Sequence, residues 1–337
     1  MADPAARRPW HVAFDAGHLL ERGTDVALYD YALGNEEILG NRSWILCPAA
    51  ADLSALDKFR ARFSVLLYRD AEALRQLLEP IDLYYVIDHG AARARPRPPR
   101  GLTAVHCVFE CKEPHGDVYA AVSDWVAQHR GLATKPPVPV VPHMVWLPQA
   151  DGDLRAELGI PRDATVFGRH GGPGTFDIPF AHEEVRKAVD ARDDLWFVFL
   201  NTARFCEPHP RIVHLPATVD MQRKARFVAT CDAMLHARRE GETFGLSCAE
   251  FSIANKPVVS WLSSPDRCHI ETLGTKGIYY RDAEGLRRIL SRFRPVRGDF
   301  DAYSERFSPQ AVMRQFDRVF LQPLAQRNAA SFQPALA

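Results

Sequence analysis

The chain has 337 residues and 47% hydrophobic content, enough for two ordinary domains with cores of their own. Its 42 basic residues balance its 42 acidic ones at a pI near 7.2, so no overall field draws nucleic acid or an anionic membrane, and a phosphate ligand must be held locally. No window approaches the ~20 apolar residues of a membrane span, and the opening "MADPAARRPWHVAFDAG" lacks a signal-peptide core, so a soluble, cytoplasmic protein is expected, with peripheral membrane contact left open.

Short apolar runs alternate with helical patterns along the chain. "WHVAFDA" precedes a helix over 24–34, "SWILC" one over 55–62 and "FSVLLY" one over 71–79, with "LYYVID" and "TAVHCVF" completing a first series. Prolines interrupt the pattern in "KPPVPVVPHMVWLP", residues 135–148. A second series follows: "TVFGRHGG", a helix over 179–191, "LWFVFLN", "RIVHLP", a helix over 219–230, "CDAMLHA" and "KPVVSW". Strands alternating with helices predict an α/β fold of two Rossmann-like, doubly wound parallel-sheet domains facing across a cleft, over residues 1–140 and 141–307. A helix and tail over 308–337 complete the chain. There Ser308 and Pro309 stand in N-cap and N1 order, and Val312, Phe316, Val319 and Phe320 recur at helical spacing, able to pack on either domain.

Seven cysteines, an odd number in a chain too large to need staples, are read as reduced and mostly buried. Cys107 and Cys111, with His106 and His115 nearby, fall in the strand pattern "AVHCVFEC" without a second ligand pair at zinc spacing, which makes them packing thiols.

Parallel-sheet domains bind ligands beyond the carboxyl ends of their strands, so residues just after strands carry the functional argument. After "CDAMLHA" a helix is expected to start near Thr243, with the free amides of Thr243, Phe244, Gly245 and Leu246 forming a positive end that can hold a diphosphate. On one helix Glu242 and Glu250 would lie about 12 Å apart and within about 80° of a common face. Either they grip the sugar and ribose ends of one nucleotide sugar, or one is a capping glutamate and the other an exposed one.

The spacing of Glu242 and Glu250 around "TFGLSCA", followed by "FSIANKPVVS", resembles the E-x7-E signature of retaining GT-B glycosyltransferases, particularly family 4. "VPHMVWLP" and "RAELGIPRDATVFGRHGG" resemble that family's interdomain hinge and the first strand and loop of its nucleotide-binding half. The resemblance covers residues 138–262, and the N-terminal half by architecture. It implies that Glu242 lies near the donor sugar, that Glu250 binds the ribose and that the amides between them hold the diphosphate. Arg169 in "FGRHGG" matches a family arginine, but the family's following lysine is missing from "GGPGTFD". Arg169 with the Gly171, Gly172 and Gly174 backbone then neutralises the leaving diphosphate, unless another cation substitutes; Lys224 is one candidate, although it lies in a helix that precedes a strand. By the same resemblance His106 is placed near the donor sugar. Gly23 and Thr24, the latter as an N-cap, match the loop that closes over the donor phosphate, without the family's paired glycines.

The arginines Arg93, Arg95, Arg97 and Arg100 in "AARARPRPPRG" follow a strand, and are read either as meeting an anionic acceptor or as a solvated basic loop. No G-x-x-x-x-G-K-[ST], G-x-G-x-x-G or G-x-S-x-G motif occurs, which disfavours P-loop, dinucleotide and α/β-hydrolase chemistry. The expected activity is therefore transfer of a hexosyl unit from a nucleoside diphosphate sugar to a hydroxyl acceptor, with retention and without a metal cofactor or a nucleic-acid partner. The alternatives are a GT-B sugar-nucleotide epimerase or phosphorylase, and an inactive GT-B scaffold that binds a nucleotide sugar or glycan.

Overall fold

The structure is a computed structural model that describes residues 8–20, 23–90, 95–131 and 137–331. The chain divides into two compact units, one formed by Met1–Met144 with Pro309–Ala337 and the other by Val145–Ser308. No helix among the described residues is long and apolar enough to cross a membrane.

The first unit holds a six-stranded sheet of β1 (His11–Asp15), β2 (Arg42–Pro48), β3 (Ser64–Tyr68), β4 (Leu83–Asp88), β5 (Leu102–Cys107) and β6 (Val118–Ala121). All neighbours run parallel, in the order β3-β2-β1-β4-β5-β6. The crossovers carry α1 (Gly23–Glu37), α2 (Leu56–Arg60) and α3 (Ala71–Leu77), and α4 (Asp124–His129) follows β6. Such strands are apolar on both faces because helices cover both, and Val12, Ala13 and Phe14 of β1 are all fully buried. Asp70 and Ser123 start α3 and α4 by accepting from the amides of Ala73 and Val126.

The second unit repeats the plan with β7 (Thr165–His170), β8 (Leu195–Leu200), β9 (Ile212–Leu215), β10 (Ala233–His236), β12 (Val258–Trp261) and β14 (Ile278–Tyr280), in the order β14-β12-β10-β7-β8-β9. A separate two-stranded ribbon pairs β11 (Gly241–Glu242) with β13 (Asp266–Arg267). Its helices are α5 (Pro179–Ala191), α6 (Met221–Thr230), α7 (Leu246–Ile253), α8 (Cys268–Leu273), α9 (Ala283–Arg292) and α10 (Ser304–Phe307). Phe167, Phe197 and Phe199 form the aromatic centre of its core.

From Pro309 the chain rejoins the first unit through α11 (Pro309–Phe316), a π-turn over Asp317–Leu321 and α12 (Gln322–Ser331). The rings of Phe316 and Phe320 close on Tyr85 at 5.4 Å each, and Phe316 also lies 5.5 Å from Tyr31. The helical spacing of Val312, Phe316 and Phe320 is thus the stripe that covers one side of the first sheet.

Both sheets carry one strand more than the apolar runs indicate. β6 and β14 contribute only "VYAA" and "IYY", too short for a periodicity to show.

Gly168 sits where β7 runs beside β10, and a Cβ there would lie 2.2 Å from the buried sulfur of Cys231 and 3.1 Å from Phe251. Gly168→Ala is expected to cost the second unit about 1–3 kcal/mol through overpacking, read as a lower urea midpoint for that unit.

Candidate functional site

In the second sheet the strand order reverses between β7 and β10, and their carboxyl ends open the crevice in which such sheets take ligands. Arg169 and His170 end β7, His236 ends β10, and the segment leading to α7 follows.

That segment departs from the expected helix. Glu242 lies on β11, and Gly241, at φ +81°, permits the ribbon because a Cβ there would sit 2.0 Å from the Asp266 carbonyl oxygen. The chain turns through Thr243, Phe244 and Gly245, and Gly245 takes a left-handed conformation at φ +91° that excludes it from a helix. α7 therefore starts at Leu246 rather than near Thr243. Its first internal bond runs from the Ala249 amide to the Gly245 carbonyl, so the amides lacking a helical partner are those of Leu246, Ser247 and Cys248. Thr243 and Phe244 precede the helix, and the Phe244 ring packs on Phe307 at 5.3 Å. Since Glu242 and Glu250 do not share a helix, the helical estimate of their separation does not apply.

Both carboxylates are held by cationic or hydrogen-bonding partners. His236 Nε2 lies 3.1 Å from Glu242 Oε1, and Arg238 Nη1 donates to Oε2 at 2.9 Å. Burial alone pushes the Glu242 carboxyl up, but the His236 hydrogen bond and the Arg238 charge outweigh it and bring it down to about 2. Glu250, 4% exposed, is neither a cap nor a surface residue. Lys224 Nζ donates to its Oε1 at 2.7 Å, and His170 Nε2 lies 2.8 Å from its Oε2 outside hydrogen-bond geometry, which leaves both those atoms buried without a hydrogen-bond partner. Burial again acts upward, while Lys224 and His170 bring Glu250 to about 2.

Arg169 is buried, with Nη1 donating to Thr202 Oγ1 at 2.7 Å and Nη2 to Thr175 Oγ1. Burial lowers it to about 10, opposed by the Glu242 charge, so it remains a cation at neutral pH. Gly171, at φ +157°, leaves room for this guanidinium, since a Cβ there would lie 2.8 Å from Nη2. Gly172 is followed by the turn in which Thr175 N bonds the Gly172 carbonyl at 3.1 Å.

The expected residues of the first unit are placed differently. His106 is fully buried in β5, with the Tyr85 hydroxyl 2.6 Å from Nδ1 and the rings of Tyr31, His143 and Phe320 around it. Burial pushes it down to about 4, so it is a neutral core histidine with no surface to offer a sugar. Gly23 is the first residue of α1 and Thr24 the second, which removes Thr24 from the N-cap position. Arg95 pairs with Asp88 and Arg97 with Asp117, so neither is a free anion-binding arm. Arg93 lies outside the described residues, and Arg100 is exposed. Cys107 and Cys111 are free, buried thiols, as their strand-like setting suggests.

Local spacing misses His170, His236 and Arg238, and ranks Lys224 low. A usable signal was present for the two histidines, each the last residue of its strand. Lys224 reaches Glu250 from 26 residues away, a relation that only the fold creates.

No protein-family model and no curated protein sequence matches the chain. Solved structures do. HepE from Anabaena, in a complex with UDP-glucose, aligns with a TM-score of 0.64 at 14% identity over 95% of this chain and 99% of HepE. A glycosyltransferase from Rickettsia africae ESF-5 gives 0.59 at 13% over 96% and 98%. AviGT4, a glycosyltransferase involved in avilamycin A biosynthesis, gives 0.61 at 16% over 94% and 98%. At these identities the likeness is one of fold, and the fold is that of the GT-B glycosyltransferases, with two Rossmann-like parallel sheets.

The depression of Glu250 from its ordinary 4.5 to about 2 contributes stability above pH 4.5 that is lost as pH falls toward 2. Glu250→Gln, which also removes the counter-charge of Lys224, is expected to lower stability at pH 7 by about 3 kcal/mol. Denaturation curves of the two proteins should converge between pH 4.5 and 2.

Proposed function

We propose that the chain is a retaining glycosyltransferase that moves a hexosyl unit from a nucleoside diphosphate sugar to a hydroxyl acceptor without a metal cofactor. One observation carries this reading: two ionised carboxylates, Glu242 just ahead of α7 and Glu250 in its second turn, lie at the switch point of a GT-B sheet, each with its own cation, Arg238 and Lys224. A carboxylate accepts hydrogen bonds only, and has sites left after two contacts, so it suits the hydroxyls of a sugar and a ribose. The amides of Leu246, Ser247 and Cys248 offer the donors a diphosphate needs. Supporting positive charge comes from Arg169, with the Gly171 and Gly172 backbone, and from Arg238, which is partly exposed beside Glu242 and supplies a cation that "GGPGTFD" lacks.

In the proposed step the bond between the anomeric carbon and the diphosphate oxygen breaks, and its electron pair leaves with the diphosphate. The acceptor oxygen bonds the anomeric carbon on the same face, and its proton passes to the departing phosphate oxygen. Charge neutralisation at the leaving group lowers the barrier, since the developing oxocarbenium ion needs no protein nucleophile. Of the proposed residues, Glu242 touches the donor sugar, Glu250 the ribose, and the α7 amides with Arg169 face the diphosphate. The soluble, cytoplasmic location belongs to the same reading.

UDP-glucose, the ligand of the Anabaena neighbour, is the first donor to test. Without divalent cation it should raise the melting temperature, Glu250→Ala should weaken its binding about tenfold or more, and Arg169→Ala should lower kcat by about 10²-fold. The anomeric configuration of the product, read by NMR, tests retention. Both variants fully active would remove this site; a donor bound and never transferred would select the inactive scaffold instead.

A further inference from the structure

Glu242 is the first member of a buried polar chain that continues past His236. Ser260 Oγ lies 3.1 Å from His236 Nδ1, His269 Nε2 lies 2.9 Å from the same oxygen, and the two imidazoles are 4.6 Å apart. His236 is 1% exposed, and Ser260 and His269 not at all. The chain ends at His269 Nδ1, a buried atom without a hydrogen-bond partner. We infer that His236, Ser260 and His269 are positioning residues, a one-directional relay that fixes His236 as the Nε2–H tautomer and so holds the Glu242 carboxylate as an oriented acceptor for the donor sugar.

The direction follows from what each atom can do. Glu242 is ionised and only accepts, so the hydrogen between it and His236 belongs to Nε2. With one ring hydrogen, on Nε2, His236 presents a bare Nδ1 that accepts the Ser260 hydroxyl hydrogen. Ser260 Oγ, having spent its hydrogen, accepts from His269 Nε2–H. His269 is left with a bare Nδ1, and burial keeps that ring neutral, well below its ordinary titration range. With that single hydrogen on Nδ1 instead, two lone pairs would face each other between His236 and Glu242. Ser260 and His269 are closed off from water, which strengthens the bonds they make.

Backbone packing locks the relay to the start of α7. A Cβ on Gly245 would lie 3.1 Å from His269 Cβ and 3.2 Å from Glu242 Cβ, so both ends of the chain rest against that residue. The charged and titratable groups facing Glu242 are His236, Arg238, His269, Arg169, Cys248 and Tyr303; those facing His269 are His236, Glu242, Arg238 and Arg267. Arg238 remains when the relay is cut, but it grips only Oε2. Loss of the His236 donor therefore lets the Glu242 carboxyl rise, and the acid side of any rate profile that depends on it moves to higher pH.

The inference rests on the glycosyltransferase reading for its consequence and on geometry alone for its tautomers, so two measurements on the full chain separate them. Side-chain 15N NMR at pH 7 should show His236 and His269 both protonated at Nε2, with the single His236 tautomer lost in Ser260→Ala. His236 protonated at Nδ1, alone or together with Nε2, overturns the relay. In transfer from UDP-glucose, His236→Ala and Ser260→Ala should lower kcat about tenfold, change the donor KM less than about threefold, and raise the acid limb by about one pH unit. His236→Gln, which keeps a donor toward Glu242, should recover most of the rate. If the wild type transfers sugar and both alanine variants overlay its profile, the relay fails. If the tautomers hold while the wild type neither binds nor transfers any nucleotide sugar, the glycosyltransferase reading fails and the relay stands.

Discussion

A carboxylate withdrawn from water costs several kcal/mol unless positive charge or donors wait for it, and the ribbon and helix of one short segment of the second unit withdraw two, Glu250 almost wholly and Glu242 in large part. This constraint organises the elements around α7. β7 has to end in His170 so that a ring faces Glu250, and α6 has to bring Lys224 to its other oxygen. β10 has to end in His236, and the loop beyond it has to bend Arg238 back onto Glu242. Polar residues in otherwise apolar strands are thereby explained as counter-groups to two acids that a helix and a ribbon bring inside.

The glycines of this region serve the same end. A Cβ at residue 241 would collide with a carbonyl at 2.0 Å, and at residues 171 and 245 it would crowd a guanidinium at 2.8 Å and a histidine at 3.1 Å. Each sits beside a charged group or next to its carrier.

How much of this could be read in advance depended on the range of the relation. Runs such as "LWFVFLN" and "LYYVID" announce buried parallel strands because both faces are apolar, and the alternation with helices leads to two doubly wound sheets. The helix over 179–191 is also plain, with Pro179 at its start. By contrast, the start of α7 turns on the left-handed backbone of Gly245, and a glycine in sequence does not declare its φ. His106 looks like a strand-end ligand until Tyr31, His143 and Phe320, from three distant segments, enclose it. Glu250 reads equally well as a surface residue until Lys224 arrives. Spacing reports neighbours along one element; counter-charges come from elsewhere in the fold.

The first unit is interrupted in sequence, since its chain departs at Met144 and comes back at Pro309. During synthesis, the side of its sheet that Phe316 and Phe320 cover stays open while the whole intervening unit emerges from the ribosome. The inserted unit is contiguous and has every partner of its sheet in hand first. The order of maturation is therefore the reverse of the order of translation: the later-made unit can close its core before the earlier one, whose Phe14, Tyr31 and Tyr85 wait as an aromatic surface in need of protection.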